Sequence, residues 1–389
     1  MRTNLPLCLH LLRAAAILLL LAASSAFSAN PTPLQAKWIW LQGADVHGYN
    51  QTIVAQRKFT LAKPQQAKLC IPTGGSSGGL KFARHDEVTL AAAVRGFCGH
   101  FGLTRVNAVG VLPPHHVSGL MARVRCAVTG GTYRDWAWKD LEAGRWPDLG
   151  TGDWVLSLVP TQLQRLLARE GGRERLQRFQ LIFLGGGPTW PVLAEQAAEA
   201  RLPVVLSYGM TETAAMIAAQ RPEEFLSGDR SCGRAMPHAS IRIDEDGAVR
   251  IAGESVFRGY YPERRSAREF VTEDLGSLDG AGRLRLLGRR DATIITGGKK
   301  VQPLEVEAAL RASGEFTDVV VLGVPDAEWG EAVVACYPGG EPAPDPGRLR
   351  RALEALASHQ RPKRLVPITP WPRNAQGKVN RAALLAALR

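Results

Sequence analysis

Several patterns that mark common protein classes are missing from this sequence. Its six cysteines never approach CxxC spacing, which argues against a zinc site or a redox pair and suits thiols in a reducing compartment. No dense basic tract and no basic strand interleaved with aromatic residues supports nucleic-acid binding. The net charge of +12 is instead spread along the whole chain, as expected from compositional bias or from a small anionic substrate.

The amino terminus has only one short apolar run, at residues 14–23, and this run is too short for a transmembrane span. With an arginine before it and small residues after it, the run resembles a secretory signal peptide, which composition alone slightly favours. The alternative is a buried Ala/Leu helix of the fold that breaks at Asn30 and Pro31. The choice between the two depends on the compartment in which the protein works.

The chain of 389 residues is long enough for two domains. Between residue 88 and about residue 230, apolar strands such as WVLSLVP and FQLIFLGGG alternate with helical patterns, which predicts βαβ units and a sheet covered on both faces. After about Ser231, short segments separated by DG and AG turns predict antiparallel hairpins, followed by a small α+β unit. We therefore expect an α/β chain with a large domain at 1–290 and a small domain at 291–389.

The stretch IPTGGSSGGLKFARHD contains four glycines and three hydroxyl residues within positions 73–79. Glycines allow successive backbone N–H groups to face one concave surface, and short hydroxyl side chains add donors, so a phosphate is the natural ligand. Lys81 follows the last glycine and could lie against the same charge. The Walker pattern GxxxxGK[ST] and a dinucleotide-binding GxGxxG do not fit this stretch. A flexible Gly/Ser turn is the alternative.

A series of motifs in fixed order makes residues 70–389 resemble the adenylate-forming superfamily of acyl-CoA synthetases, luciferases and adenylation domains. The matching stretches are TGGSSGGLK (73–81), LPPHHVSG (112–119), GGGP (185–188), YGMTET (208–213), TED (272–274), GRRDATIITGGKKVQPLEVE (288–307) and NAQGKVNR (374–381). The resemblance implies a large domain of stacked α/β sheets with a small β-rich part, followed by a small mobile α+β domain. It also implies that part of the usual amino-terminal subdomain is reduced or missing.

Within the superfamily, IPTGGSSG and LPPHHVSGL look most like the o-succinylbenzoate-CoA ligases of menaquinone or phylloquinone synthesis. That resemblance implies ATP-dependent formation of an acyl-adenylate, thioester formation with coenzyme A, and a requirement for Mg²⁺. Because ATP and coenzyme A are cytoplasmic, it also favours a cytoplasmic protein with a buried amino-terminal helix, without stable membrane insertion or nucleic-acid binding. Two alternatives remain: another acyl- or aryl-CoA synthetase, or a catalytically silent adenylate-binding relative.

The same resemblance implies roles for the residues around the phosphates and the reacting carboxylate. The cradle for the β- and γ-phosphates comprises Thr73, Gly74, Gly75, Ser76, Ser77 and Gly78, followed by Lys81. Thr211 would contact the α-phosphate, and Glu212 would hold Mg²⁺, although an acid here could also simply begin a helix. Lys378 would bridge the carboxylate and the α-phosphate during adenylation, and His116 would border the acyl pocket. The alternatives are an exposed loop lysine and a core histidine.

A second group of residues would bind the nucleoside and coenzyme A. Gly185, Gly186 and Gly187 would line the adenine site beside Tyr208 and Gly209, while Asp274 and Arg289 would bind the ribose. Asp291 matches the hinge about which the small domain rotates, and Gly297 with Gly298 would lie along the pantetheine path. Glu273 departs from the family, which usually has glycine before this aspartate. An extra carboxylate there could weaken ATP binding, or it could point outward.

Overall fold

The computed structural model describes residues 68–74, 80–340, 342–373 and 379–388. Its first element is an antiparallel hairpin of β1 (Lys68–Gly74) and β2 (Leu80–Asp86), and the glycine-rich loop joins the two strands. Helix α1 (Glu87–Phe101) follows directly, as the apolar spacing predicts. Asp86 caps its amino terminus by accepting the Thr89 N–H at 3.0 Å, and the Asp86 N–H donates back to the Thr89 hydroxyl at 3.0 Å.

The described residues next form a seven-stranded sheet in the order β4-β3-β5-β6-β7-β8-β9, in which β3 to β7 are parallel. Its strands are β3 (Asn107–Gly110), β4 (Tyr133–Asp135), β5 (Trp154–Leu158), β6 (Leu181–Leu184), β7 (Val204–Met210), β8 (Ala215–Ala219) and β9 (Arg234–Ala235). The helices along this part of the chain are α2 (Val117–Thr129), α3 (Trp138–Glu142), α4 (Pro160–Leu167), α5 (Gly172–Leu176), α6 (Pro191–Glu199) and α7 (Pro222–Leu226).

Strands β5, β6 and β7 of this sheet are buried on both faces, which explains their continuous apolar runs. Leu156, Ile182 and Val204 belong to one apolar core, whereas Val155, Phe183 and Val205 belong to another. These residues alternate along β5, β6 and β7, and successive side chains of a strand point to opposite faces. The prediction of βαβ units with both faces covered is therefore confirmed.

A four-stranded antiparallel sheet follows, in the order β10-β11-β12-β13. Its strands are β10 (Ala239–Ile243), β11 (Ala248–Gly253), β12 (Glu269–Leu278) and β13 (Leu284–Arg289). Turns at DG and AG join β10 to β11 and β12 to β13, so the hairpins expected after Ser231 are present.

The last sheet contains five strands and has apolar cores of its own. Its strands are β14 (Ile294–Thr296), β15 (Lys299–Val301), β16 (Val320–Asp326), β17 (Gly330–Pro338) and β18 (Arg364–Ile368), and the helices beside them are α8 (Pro303–Ala312), α9 (Pro346–Leu353) and α10 (Arg381–Ala387). The expected division at 290/291 lies between β13 and β14, and two separately mobile domains stay a prediction. Within the described residues, no helix combines the length and the apolarity needed to cross a bilayer.

Candidate active site

The carboxyl ends of the parallel strands lie at one edge of the large sheet, where ligands gather in open α/β folds. Gly185 to Gly187 follow β6, the 3-10 turn Thr211–Thr213 follows β7, and His116 lies between β3 and α2. Strands β6 and β7 are neighbours in the sheet, and only β5 lies between β3 and β6. This edge is the candidate active site.

The glycine turn after β6 presents little side-chain bulk to solvent. Gly186 has φ +79°, a left-handed conformation that favours glycine, and a Cβ added at Gly187 would meet no atom within 4 Å. A Cβ at Gly185 would lie 3.6 Å from the Ser207 hydroxyl oxygen, which is ordinary contact. The turn therefore has room beside it for a flat ring, and its role in binding adenine stays a prediction.

The backbone directly after the turn Thr211–Thr213 is strained. Ala214 and Ala215 follow it with φ +52° and +84°, values that alanine rarely adopts. The Thr213 hydroxyl accepts the Met210 N–H at 3.0 Å and lies 2.7 Å from the Ala215 carbonyl oxygen. At Gly209, an added Cβ would lie 2.0 Å from that carbonyl oxygen, so glycine is required by close packing of β7 against β8.

Glu212, the candidate Mg²⁺ ligand, is buried, with 7% of its surface exposed. The Tyr260 hydroxyl donates a hydrogen bond to Glu212 Oε1 at 2.6 Å, and the Phe257 N–H donates to the Glu212 carbonyl at 2.8 Å. Burial, and then the charge of Glu212, raise the pKa of Tyr260 above its ordinary value, so the tyrosine stays protonated. The Lys81 ammonium lies 5.2 Å from the centre of the Tyr260 ring. Tyr260 therefore links Lys81 to Glu212.

Two residues of this site, Tyr260 and His85, were not predicted from the sequence. His85 is fully buried on β2, and its Nε2 lies 2.7 Å from the carbonyl oxygen of Thr211. Its Nδ1 lies 3.0 Å from the hydroxyl of Thr89. A polar residue at an otherwise apolar position of a strand beside the phosphate loop was the available signal for His85. The aromatic pair in RGYYP was the signal for Tyr260.

The burial of His85 makes stability depend on pH. Burial lowers the pKa of this histidine to about 4, whereas the unfolded side chain takes up a proton near pH 6.5. The unfolded state therefore binds more protons between these values, and we expect the free energy of unfolding to fall by about 2 kcal/mol between pH 7 and pH 5 from this group. Denaturant titrations of the wild type and His85→Gln at both pH values test this. Equal losses in the two proteins would contradict it.

The predicted ribose carboxylate lies in a connected chain of polar side chains. The buried Tyr208 hydroxyl donates to Asp274 Oδ2 at 2.6 Å, and Arg289 Nη1 donates to Asp274 Oδ1 at 3.2 Å. Arg289 also donates from Nε and Nη2 to the two carboxylate oxygens of Asp291, both at 2.8 Å. Four residues from three separate motifs therefore meet in one network, which joins the candidate ribose site to the candidate hinge.

Glu273 points away from this network. Its two carboxylate oxygens accept from Arg290 at 3.0 and 3.1 Å, and Arg290 also donates to Asp246 at 2.7 Å. Glu273 and Asp274 are neighbours on β12, so their side chains lie on opposite faces of the strand. For Glu273, the alternatives were weaker ATP binding and an outward orientation, and the structure shows the outward orientation.

We expect Glu273→Gly, which restores the residue usual in the family, to leave the KM for ATP within about twofold, since half-exposed ion pairs contribute little. Asp274→Ala is the matched contrast, and we expect it to raise this KM by about tenfold or more because a charged hydrogen-bond acceptor is lost. Steady-state kinetics at varied ATP measures both. A tenfold gain in ATP affinity for Glu273→Gly would mean that Glu273 repels the phosphates after all.

Two of the remaining predicted residues belong to the last sheet, and His116 lies at the edge of the large sheet. Gly297 and Gly298, with φ +55° and +73°, form the tight turn between β14 and β15 on the last sheet. A Cβ at Gly297 would lie 3.0 Å from the Trp329 ring, and the Gly297 N–H donates to the Trp329 carbonyl at 2.8 Å. His116 precedes α2, with its ring 4.4 Å from that of His115.

The phosphate loop itself is only partly described. Thr73 and Gly74 end β1, opposite Lys81 and Leu80 in β2, so the hairpin brings both sides of the loop together. Five predicted residues, Gly75, Ser76, Ser77, Gly78 and Lys378, lie outside the described residues. The same holds for residues 1–67, including the segment read either as a signal peptide or as a buried helix.

The family described as AMP-binding enzyme matches residues 13–261, and the AMP-binding enzyme C-terminal domain matches residues 305–378. The chain belongs to the AMP-binding enzyme family. The predicted resemblance to adenylate-forming enzymes is thereby confirmed.

Two relatives of this chain within the AMP-binding enzyme family have the same enzyme name. The 2-succinylbenzoate–CoA ligase of Listeria innocua is 32% identical over 294 residues, covering 73% of this chain and 62% of the relative. The ligase of the same name from Geobacillus kaustophilus is 33% identical over 297 residues, covering 71% of this chain and 60% of the relative. This chain thus matches only about three fifths of the length of these relatives.

Solved structures of the AMP-binding enzyme family share the fold. The o-succinylbenzoate CoA synthetase of Bacillus subtilis, in complex with its acyl-adenylate intermediate, has a TM-score of 0.71 and 28% identity, covering 81% of this chain and 68% of that one. The same synthetase with ATP and magnesium has a TM-score of 0.70 and 26% identity, covering 81% and 69%. The predicted two-part adenylate-forming fold is therefore confirmed.

The residues of this family member fit a Mg²⁺ ion that arrives with ATP. No group of three or more His, Cys, Asp or Glu side chains among the described residues could hold a metal ion alone. Mg²⁺ is usually held by one or two carboxylates together with substrate phosphates. At this edge of the sheet, the buried carboxylate of Glu212 and the neighbouring residue Thr211 offer a donor set of that kind.

Proposed function

We propose that the protein converts o-succinylbenzoate to its coenzyme A thioester, through an acyl-adenylate made with ATP, as a step of menaquinone synthesis. The observation that carries the proposal is the arrangement at one sheet edge. Motifs far apart in sequence meet there, with Glu212 on Tyr260 and Asp274 on Tyr208 and Arg289. The shared names of the relatives point to the same acid.

In the first half-reaction, a carboxylate oxygen of the acid attacks the α-phosphorus of ATP, and the bond to pyrophosphate breaks. Both reactants are anions, so positive charge and oriented donors must offset their repulsion. Thr211 and Lys378 act at the α-phosphate and the carboxylate, while Lys81 and the loop at residues 73–78 hold the outer phosphates. Glu212 would hold Mg²⁺, and the bound ion would neutralise part of the phosphate charge.

The nucleoside is positioned by a different set of residues. Asp274 is partly buried, with Tyr208 and Arg289 fixing its two oxygens, so the remaining lone pairs of its carboxylate can accept from the ribose hydroxyls. The glycine turn at 185–187 provides the surface for adenine. His116 borders the acyl group.

In the second half-reaction, the sulfur of coenzyme A attacks the acyl carbonyl, the thiol proton passes to solvent, and AMP leaves with the anhydride oxygen. Lys378 must withdraw so that the thiol can enter. We propose that the small domain, residues 291–389, rotates about Asp291 and brings Gly297 and Gly298 to the pantetheine path. Since ATP and coenzyme A are cytoplasmic, we also propose that the protein works in the cytoplasm. We propose separately that it binds no nucleic acid.

Pyrophosphate release by the purified full chain with ATP and Mg²⁺ tests the proposal. The acids compared are o-succinylbenzoate, benzoate and a fatty acid, each with and without coenzyme A. Release that is selective for o-succinylbenzoate supports the proposed substrate. Pyrophosphate release with a different acid only would show that the proposed substrate is wrong and the proposed reaction class is right. No release with any acid would favour an adenylate-binding protein without catalytic activity.

A further inference from the structure

The buried histidine of β2 lies between the two motifs that would hold the nucleotide phosphates. His85 is only four residues beyond Lys81, and its Nε2 lies 2.7 Å from the Thr211 carbonyl oxygen. The strand that carries it is anchored in turn, because Asp86 forms a partly buried ion pair with Arg258 at 2.8 Å. The His85 side chain therefore connects the phosphate-loop hairpin directly to the Thr211–Thr213 turn.

Hydrogen-bond chemistry fixes which nitrogen of His85 carries the proton. A carbonyl oxygen can only accept, so the hydrogen must be on Nε2. Burial lowers the pKa of His85 to about 4, so the ring is neutral near pH 7 and Nδ1 is an acceptor. The Thr89 hydroxyl lies 3.0 Å from Nδ1 and can donate to it, although the Asp86 carbonyl oxygen lies 2.9 Å from the same hydroxyl. His85 therefore has one donor, aimed at Thr211.

The hydrogen bond from His85 reaches the Thr211–Thr213 turn next to a strained stretch of backbone. The Thr211 carbonyl also accepts the Ala214 N–H at 3.2 Å, which is the bond that closes the turn. Ala214 and Ala215 have left-handed backbone angles, and such strain persists only where surrounding contacts hold it. The Nε2–H donor reaches the turn from the side of the hairpin, whereas Tyr260 holds the Glu212 side chain.

We propose that His85 is a positioning residue, which sets the Thr211–Glu212 turn against the phosphate-loop hairpin so that the two bind ATP as a unit. This inference rests on the proposed function. His85 touches neither the nucleotide nor the reacting atoms, and it acts through the Thr211 carbonyl.

Two substitutions of similar polarity separate positioning from general destabilisation. The side-chain nitrogen of glutamine can reach the place of Nε2, whereas that of asparagine reaches only the place of Nδ1. We expect His85→Gln to keep the Kd for ATP with Mg²⁺ within about threefold, and His85→Asn to weaken it by about 10- to 100-fold, the effect of losing one buried hydrogen bond. His238 is a second largely buried histidine, and His238→Asn should leave the Kd unchanged.

Calorimetric titration of each full-length variant with ATP and Mg²⁺ measures these constants without any acid substrate. Equal affinities for His85→Gln and His85→Asn, with both folded by circular dichroism, would overturn the inference. If His85→Asn does not fold, Thr89→Val and Thr89→Ser replace the pair, because only serine keeps the hydroxyl that orients the ring. We then expect about three- to tenfold weaker binding for valine than for serine, and equal affinities would overturn the inference.

The outcomes also separate this inference from the proposed function. Wild-type protein that binds ATP with Mg²⁺ but converts no acid overturns the proposed function, and the variant pair still decides the role of His85. Wild-type protein that binds no ATP overturns both. Conversion of o-succinylbenzoate together with equal variant affinities overturns the positioning role alone.

Discussion

Replacing Glu212 with glutamine should lower kcat/KM for acyl-adenylate formation by about 100- to 1000-fold, the scale of losing one transition-state electrostatic contact. The amide keeps the size of the side chain and can still accept from Tyr260, which lies 2.6 Å from Oε1. It removes the charge that a hard cation requires. Pyrophosphate release as a function of Mg²⁺ concentration measures the loss, which raised Mg²⁺ should reverse only partly.

The control for this variant is Glu223→Gln, an exposed glutamate on α7 that should keep wild-type activity. Tyr260→Phe is an informative intermediate, because it removes the donor to Glu212 while keeping the ring beside Lys81. We expect it to cost about tenfold, the effect of one hydrogen bond to a charged group. Wild-type kinetics for Glu212→Gln would mean that this carboxylate does not hold Mg²⁺.

Lys378→Ala should abolish most of the first half-reaction and spare the second. Its ammonium offsets the repulsion between carboxylate and α-phosphate, so we expect acyl-adenylate formation to fall by about 100- to 1000-fold. When chemically prepared acyl-adenylate and coenzyme A are supplied, thioester formation should stay within about threefold of wild type. In that step the thiol attacks the acyl carbonyl, so no anion has to approach the α-phosphorus.

Single-turnover assays of the two half-reactions separate these effects. Lys139→Ala, on the exposed side of α3, is the matched control and should change neither. Equal losses in both half-reactions would mean that Lys378 supports the fold or the hinge. Unchanged adenylation would remove Lys378 from the catalytic residues.

Much of the fold could be predicted because its signals are local. Continuous apolar strands such as those at residues 154–158 and 181–184 bury both faces, and their periodicity and turns are visible in the chain itself. Because β6 and β7 are parallel neighbours, the residues that follow them share one edge of the sheet. The meeting of Tyr208, Asp274 and Arg289 agrees with roles assigned from separate motifs.

The parts that could not be predicted depend on long-range pairing. His85 and Thr211 are 126 positions apart, and Glu212 and Tyr260 are 48 positions apart, so no window of sequence brings them together. The orientation of Glu273 was likewise open, because strand alternation gives its face only after the register of β12 is known. The domain division and the individual roles of the site residues stay predictions.

The most direct test of the central claim is to identify the products made from o-succinylbenzoate, ATP, Mg²⁺ and coenzyme A by the purified full chain. Mass spectrometry should find o-succinylbenzoyl-CoA and AMP in equal amounts, with the acyl-adenylate accumulating on the protein when coenzyme A is omitted. ADP in place of AMP, or AMP release without any thioester, would contradict the proposed reaction.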